Sequence, residues 1–560
     1  TELARLNLRA GKRAAEVSAF AAAESYLKTG MSLLPSAPST RWAEPDKALA
    51  LELYSCLAEA QFCAGRFDRM KKTSYAVLAR DDLSWADKFR CRYVLACCLK
   101  STNKLPEAVK LARTVLSEKG VTFPKFGLKG AIALDLCKTK KLLSGQSAQS
   151  LRDLPLAESR ERAMTMAMMS VLADCAYFIE PDLFPVVALK MLRDSVKHGV
   201  SAHSCYGFGT YAIVLSSLFK DYAGAYEFGQ ITSDVMKKTN ARDLESKMLV
   251  LLHTFVNHWV LNQHLSLKPL CDGHRIGMLT GKIEDAGFCT NMYVNLSLYS
   301  GKALNGLEPD LARRIAEMEE HNQDLVVVFM RISRQFCQSL MGRAVDCTAM
   351  DGEVMRYEEA LEEATKRGNL CIHNTVKMYR MWLAYYFGEY DLAWRMYAEC
   401  PTLERRLYGT FTFCRVVFFK GLAALALARR HNNGGGGGFA RGKWRRRAAA
   451  AISQVEEFVK KGSINCIHMV HLFRAERASL RNENGDAEKH YENAISTAGR
   501  YGFLQDKALC CERAGEHFLA RGDEYWAKVH LSNAHKHYLE WGAWAKTKQL
   551  RQRHASLDIA

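Results

Sequence analysis

The stretch at residues 508–541, ALCCERAGEHFLARGDEYWAKVHLSNAHKHYLEW, decides the fold. It reads as two helices folded back on each other. Ala514, Gly515 and Phe518 lie along the first. Arg521, Gly522 and Asp523 form the turn, where Gly adopts a conformation other residues resist and Asp can start the next helix. Ala527, Leu531 and Ala534 then recur at helical spacing along one face of the second. The small residues at 515, 527 and 534 allow two backbones to approach, and Phe518 and Leu531 fill the space that remains.

A hairpin of this kind is tetratricopeptide-like, and it cannot bury its apolar face unless it stacks on others. Related hairpins recur along the chain. Gly11, Phe20, Ala23, Leu27, Gly30 and Pro35 stand in the register of Gly515, Glu524, Ala527, Leu531, Ala534 and Leu539, with Pro35 stopping the second helix. Residues 58–79 turn at Ala64 to Phe67, and residues 96–116 place Ala108, Ala112 and Val115 on a packing face. Further units lie at 211–235 around Lys220 to Ala223, at 379–400 around Phe387 to Tyr390, and at 475–498 around Asn484, Gly485 and Asp486. Between them, Glu180-Pro181-Asp182 separates two apolar helices, and residues 244–259 and 286–307 each read as one strong helix. The fold class is therefore all-α: a TPR-like α-α superhelical solenoid of stacked hairpins, expected to be right-handed and without a sheet of more than two strands. Its expected divisions are TPR-like repeats at 1–123, divergent helical repeats at 124–375 with a lysine-rich connection at 124–154, a TPR-like repeat at 376–430, a flexible glycine and arginine insertion at 431–447, and C-terminal repeats at 448–560.

Composition agrees with continuous helix: 48% of the 560 residues are hydrophobic and only 11 are proline. The 18 cysteines form no C-x-x-C pair, which points to a reducing cytoplasm. No apolar run is read as long enough to span a bilayer, and a chain opening on Thr1 reads as a fragment of something longer. Net charge is +18, of which Arg429, Arg430, Arg441, Lys443, Arg445, Arg446 and Arg447 supply seven, leaving +11 elsewhere. Five successive glycines in HNNGGGGGFARGKWRRR oppose helix at about 1 kcal/mol each. Gly437, Gly442 and Lys443 imitate the front of a phosphate-binding loop, but Trp444 stands where Ser or Thr must hold magnesium. The histidine pairs His468/His471, His253/His258 and His535/His537 lack the third ligand and the Glu of a zinc site. No nucleophile elbow, kinase loop or Cys-His signature is present. No catalytic, cofactor or metal site is thus expected.

Four stretches carry a family resemblance: LNLRAGKRAAEVSAFAAAESYLKTGMSLL at 6–34, YGFGTYAIVLSSLFKDYAGAYEFG at 206–229, RQFCQSLMG at 334–342 and EWGAWAKTKQL at 540–550. In order and spacing they resemble the helical-repeat region of large signal-transduction ATPases. In that family a serine/threonine kinase-like domain and an AAA-type (STAND) ATPase precede the repeats, and a GAF domain and often a histidine kinase follow. The resemblance implies a non-catalytic regulatory scaffold whose inner surface binds a protein, a peptide or another domain of the same polypeptide. Kinase and ATPase activities would lie outside this chain. From the repeat register, Arg5, Trp382, Tyr385, Glu512 and Glu516 are the partner-groove candidates. Two rival readings stay open: a nucleic-acid adaptor using the basic insertion, and an enzyme with an unfamiliar site within 124–375.

Overall fold

The computed structural model describes residues 2–35, 37–433 and 438–559. The described chain is helical almost throughout, and its one β feature is an isolated parallel bridge between Leu156 and Val200. Successive helices pack as antiparallel pairs, so the fold is an all-α solenoid. The hairpin at 508–541 resolves into helices Leu504–Ala520 and Glu524–Trp541. Gly522 takes φ +79°, and the Asp523 carboxylate accepts from the Trp526 amide at 3.1 Å, capping the second helix. The N-terminal hairpin, Glu2–Glu16 and Phe20–Ser32, repeats the same contact. A Cβ placed on Gly11 would meet Leu27 Cγ at 2.6 Å, and one on Gly515 would meet Leu531 Cγ at 2.6 Å.

Several boundaries differ from expectation. The turn in the unit at 475–498 falls at residues 481–483, because Asn482 takes the left-handed conformation at φ +62° and Gly485 lies inside the next helix. The helix expected over 286–307 is Ile283–Tyr299, ended near Gly301 at φ +71°, and a new helix starts at Leu304. The segment at 244–259 is regular only over Glu245–Phe255. The insertion expected at 431–447 is largely helical: Phe411–Asn433 and Gly438–Lys460 flank residues 434–437, which lie outside the described residues together with Gly437 of the phosphate-loop imitation. Trp444 packs edge-on against Trp394 at 4.8 Å between ring centroids, and the Arg447 guanidinium covers both rings at 4.4 and 4.8 Å. Helix Gly438–Lys460 runs against Phe411–Asn433 along its length, and that packing overrides the poor helix propensity of its first residues. Helices Arg160–Ile179 and Phe411–His431 also correct the reading of apolar runs. Both are long and apolar enough to cross a membrane, yet 89% of the second is buried inside the fold.

An ideal solenoid touches only its nearest repeats, but this one winds far enough for successive turns to meet. Asn322 Nδ2 donates to the Gly65 carbonyl at 3.1 Å, Arg367 to Thr102 O at 3.4 Å, Arg406 to Phe178 O at 2.8 Å, Asn465 to His258 O at 2.7 Å and Gln549 to Phe387 O at 2.9 Å. Gln505 makes the equivalent bond to Tyr299 O. Most of the acceptors lie where the first helix of a hairpin ends. Helix C-termini leave carbonyls without intrahelical partners, and donors from the next turn satisfy them. The sequence separation across this seam is 257 residues at Asn322 and 265 at Arg367, then falls to 162 at Gln549, so the later turn holds fewer residues.

Candidate functional site

The winding decides what becomes of the expected groove. Trp382 and Tyr385, on helix Leu370–Tyr386, are 3% and 4% exposed. Trp382 meets Tyr299, Tyr379 and Phe419, and Tyr385 meets Phe419 and Tyr390, so both belong to a column of rings within the core. Glu512 is buried too, accepting from Tyr538 Oη and Lys546 Nζ, each at 2.7 Å. Glu516 accepts from His554 at 3.1 Å and pairs with Arg553 at 3.3 Å. The C-terminal helix Trp544–Arg553 and the residues just after it supply three of these partners, and thereby cover the face on which both glutamates were expected to be open. Arg5 is exposed on the first helix, far in sequence from the other four. These five residues do not form one groove. Contact between successive turns places Trp382, Tyr385 and Glu512 in the core.

What the interior leaves open is a pair of adjoining cavities between turns. The larger, about 690 Å³, is bounded by Glu59, Arg90, Lys100, Lys282 and Glu284 among others. The smaller, about 190 Å³, is walled by Tyr177, Phe178, Phe255, Phe288 and Phe329. Lys100, Lys247 and Asp285 line both.

The charged group at their junction is assembled from five helices. Trp85–Ser101 carries Lys100 in its last turn, where a cation suits the helix dipole. Ile283–Tyr299 carries Glu284 and Asp285 in its first turn, where anions do. Arg160–Ile179 supplies Asp174, Ser204–Val214 supplies Tyr206, and Glu245–Phe255 supplies Lys247. Asp174 accepts from Lys100 at 2.9 Å, Lys247 at 2.6 Å and Tyr206 Oη at 2.6 Å. Lys100 also reaches Glu284 at 2.7 Å.

Burial works against charge throughout this cluster, and the outcome differs from group to group. Burial alone would raise Asp174, but the Lys100 and Lys247 ammonium groups and the Tyr206 hydroxyl outweigh it and hold this carboxyl well below its usual range. Burial would lower Lys100, and Asp174 and Glu284 instead push it well up. At Glu284 burial wins over Lys100 and lifts the carboxyl to about 7. Burial, with the nearby Lys247 charge, lowers His203 to about 4, which leaves its ring neutral at physiological pH. Burial raises the Cys97 and Cys175 thiols, so neither is a thiolate nucleophile. Lys100 is held as an ammonium group. The arrangement favours binding of charge over nucleophilic attack.

Sequence reasoning passed over this cluster. Its signal was an Asp inside an otherwise apolar helix, MTMAMMSVLADCAYF, and a Lys ending the apolar run VLACCLK. The histidine pairs meet separate fates. His468 bonds Asp506 at 2.9 Å, whereas His471 faces His490 with ring centroids 5.8 Å apart. His253 bonds Ser266 at 2.9 Å, His258 is buried without a side-chain partner among the described residues, and His537 bonds Glu540 at 3.0 Å.

No protein-family model matches the chain. No curated protein matches it either. Among solved structures, a circular tandem repeat protein with a novel repeat topology and enhanced subunit contact surfaces aligns over 99% of this chain and 94% of its own, at 11% identity and a TM-score of 0.14. That score does not superpose the two folds, and the architecture rests on the helix packing of this chain itself.

Proposed function

We propose that the chain is a non-catalytic interaction and regulatory scaffold in the cytoplasm, the sensor or regulatory arm of a multidomain signalling ATPase or kinase. The observation that carries this reading is the grouping of exposed large apolar side chains on the two end hairpins, beside scattered ones between them such as Phe126 and Val345. On the first hairpin Leu3, Leu6 and Val17 are 56%, 51% and 72% exposed, and on the last Tyr525 and Trp526 are 71% and 47% exposed. Exposed apolar surface at the ends of a solenoid, where interior repeats would be covered by neighbours, suits a docked protein segment or a domain of the same polypeptide. The seam between turns adds a regulatory element. A partner that binds the wound arrangement better than a loosened one shifts the balance between them by its difference in affinity.

The test is ATP hydrolysis by the full-length gene product with and without this region. Removal is expected to raise basal hydrolysis. A gene product carrying no kinase or ATPase domain, or one whose hydrolysis is indifferent to the deletion, overturns the reading.

The nucleic-acid reading loses ground at the basic segment, where half-buried Trp444 and Arg447 are engaged with Trp394, and it keeps only the exposed Lys443, Arg445 and Arg446. The enzyme reading draws on one observation, a carboxyl at about 7 beside a large cavity. Against it stands Lys100, paired with that carboxyl and held as an ammonium group.

A further inference from the structure

The smaller cavity has a charged end and an aromatic wall. At that end two lysines, Lys100 and Lys247, face two aspartates, Asp174 and Asp285. Both lysines bond Asp174. Asp285 lines both cavities and makes no hydrogen bond or direct ion pair among the described residues. Deeper in, the Asn291 amide oxygen and the Thr254 hydroxyl are buried without a hydrogen-bond partner among the described residues, although Asn291 is only 3% and Thr254 9% exposed. Buried polar atoms are almost always satisfied, so these are places where a ligand group or water belongs.

The remaining wall is aromatic. Phe178 stacks with Phe288 at 5.9 Å between centroids, and Tyr177 meets Phe255 edge-on at 5.5 Å. Ring faces attract cations as well as apolar groups. A volume of about 190 Å³ exceeds the roughly 150 Å³ of an apolar cavity known to take benzene. One ring with a short side arm fits.

From this arrangement we propose that the aromatic cavity between the turns binds a small organic cation: an ammonium group set against Asp285, with a single-ring or branched apolar body among Tyr177, Phe178, Phe255 and Phe288. An anion would meet the Asp285 carboxylate, and a neutral ring would leave that carboxylate unpaired. The site spans both turns, with Asp174 and Tyr177 from the first and Phe329 and Tyr379 from the second, so an occupant bridges them. The inference stands apart from which protein the outer surface takes.

Calorimetric titration of the 560-residue chain with benzylammonium, benzyl alcohol and benzoate tests it at one pH and salt concentration. Benzylammonium is expected to bind at least about tenfold more tightly than benzyl alcohol, a difference of about 1.4 kcal/mol. Benzoate is expected not to bind. Asp285→Asn, checked for folding by circular dichroism, should remove the preference for the cation while leaving benzyl alcohol unchanged. Phe288→Trp should fill the cavity and weaken all binding with the charge intact. Equal affinity for cation and alcohol, tighter binding of benzoate, absence of benzylammonium binding to the unmodified chain, or a preference that survives Asp285→Asn overturns the proposal.

Discussion

Glu284 opens the helix Ile283–Tyr299 with its carboxyl buried against Lys100, and the fold must either ionise it at a cost or keep it protonated. Its folded value of about 7 stands above the ordinary 4.5. A raised carboxyl stabilises the fold fully below its unfolded value, and that contribution is lost as pH rises through the folded one. Stability of the unmodified chain should therefore decline between pH 4.5 and 7 relative to Glu284→Gln, which cannot ionise. Melting temperatures of the two proteins should converge near pH 4.5 and separate by pH 8, with the variant higher. Curves that stay parallel would mean that Glu284 is ionised throughout. At this scale, small residues were legible in the sequence and charged ones were not. Gly11 and Gly515 announce a close helix contact because only glycine leaves room for Leu27 and Leu531. Asp174 and Glu284 acquire their meaning from Lys100 and Lys247, separated from them in sequence by as many as 184 residues, and no local spacing reveals that.

Hairpins were the scale at which sequence reasoning worked best, because capping and left-handed turns are local. Asp523 caps as its position implies, and Gly388 turns at φ +86° where Phe387 to Tyr390 mark the break. Errors arose where a residue other than glycine took the turn, as at Asn482, or where packing overruled propensity. Helix Gly438–Lys460 shows the second case. Read as a loose insertion, it should tolerate loss of Trp444. The observed packing of Trp444 between Trp394 and Arg447 implies the opposite. Trp444→Ala should lower stability by about 1 to 3 kcal/mol in denaturant unfolding, as expected for a partly buried aromatic that fills less than a full core site. An unchanged midpoint would restore the loop reading.

The complete molecule departs from a simple solenoid because its turns touch, and this is what hid the candidate groove. Positions such as Trp382 lie on the inner face by register, yet no pattern within one repeat reports how tightly the superhelix winds. Winding is set by small angles between neighbours, summed over many hairpins. The seam itself can be probed. Asn465 donates to both His258 O and Leu261 O, at 2.7 and 2.8 Å, and Gln505 donates to Tyr299 O. The double variant Asn465→Ala, Gln505→Ala leaves buried carbonyls unsatisfied, at about 1 to 3 kcal/mol each. It is expected to enlarge the radius of gyration in small-angle scattering while helix content by circular dichroism stays constant. A radius identical to that of the unmodified chain would show that apolar contacts alone hold the turns.

Two kinds of bonding thus act along different directions, and a pulling force distinguishes them. Within a hairpin, stacked side chains share load along the whole helix pair. Across the seam, adjacent coils are clipped at intervals by bonds such as Asn322 to Gly65 and Arg406 to Phe178. Stretched from its ends, the protein behaves as a closed spring. The coils part clip by clip and the contour lengthens before any helix melts, and on release the clips re-form from helices that never lost their shape.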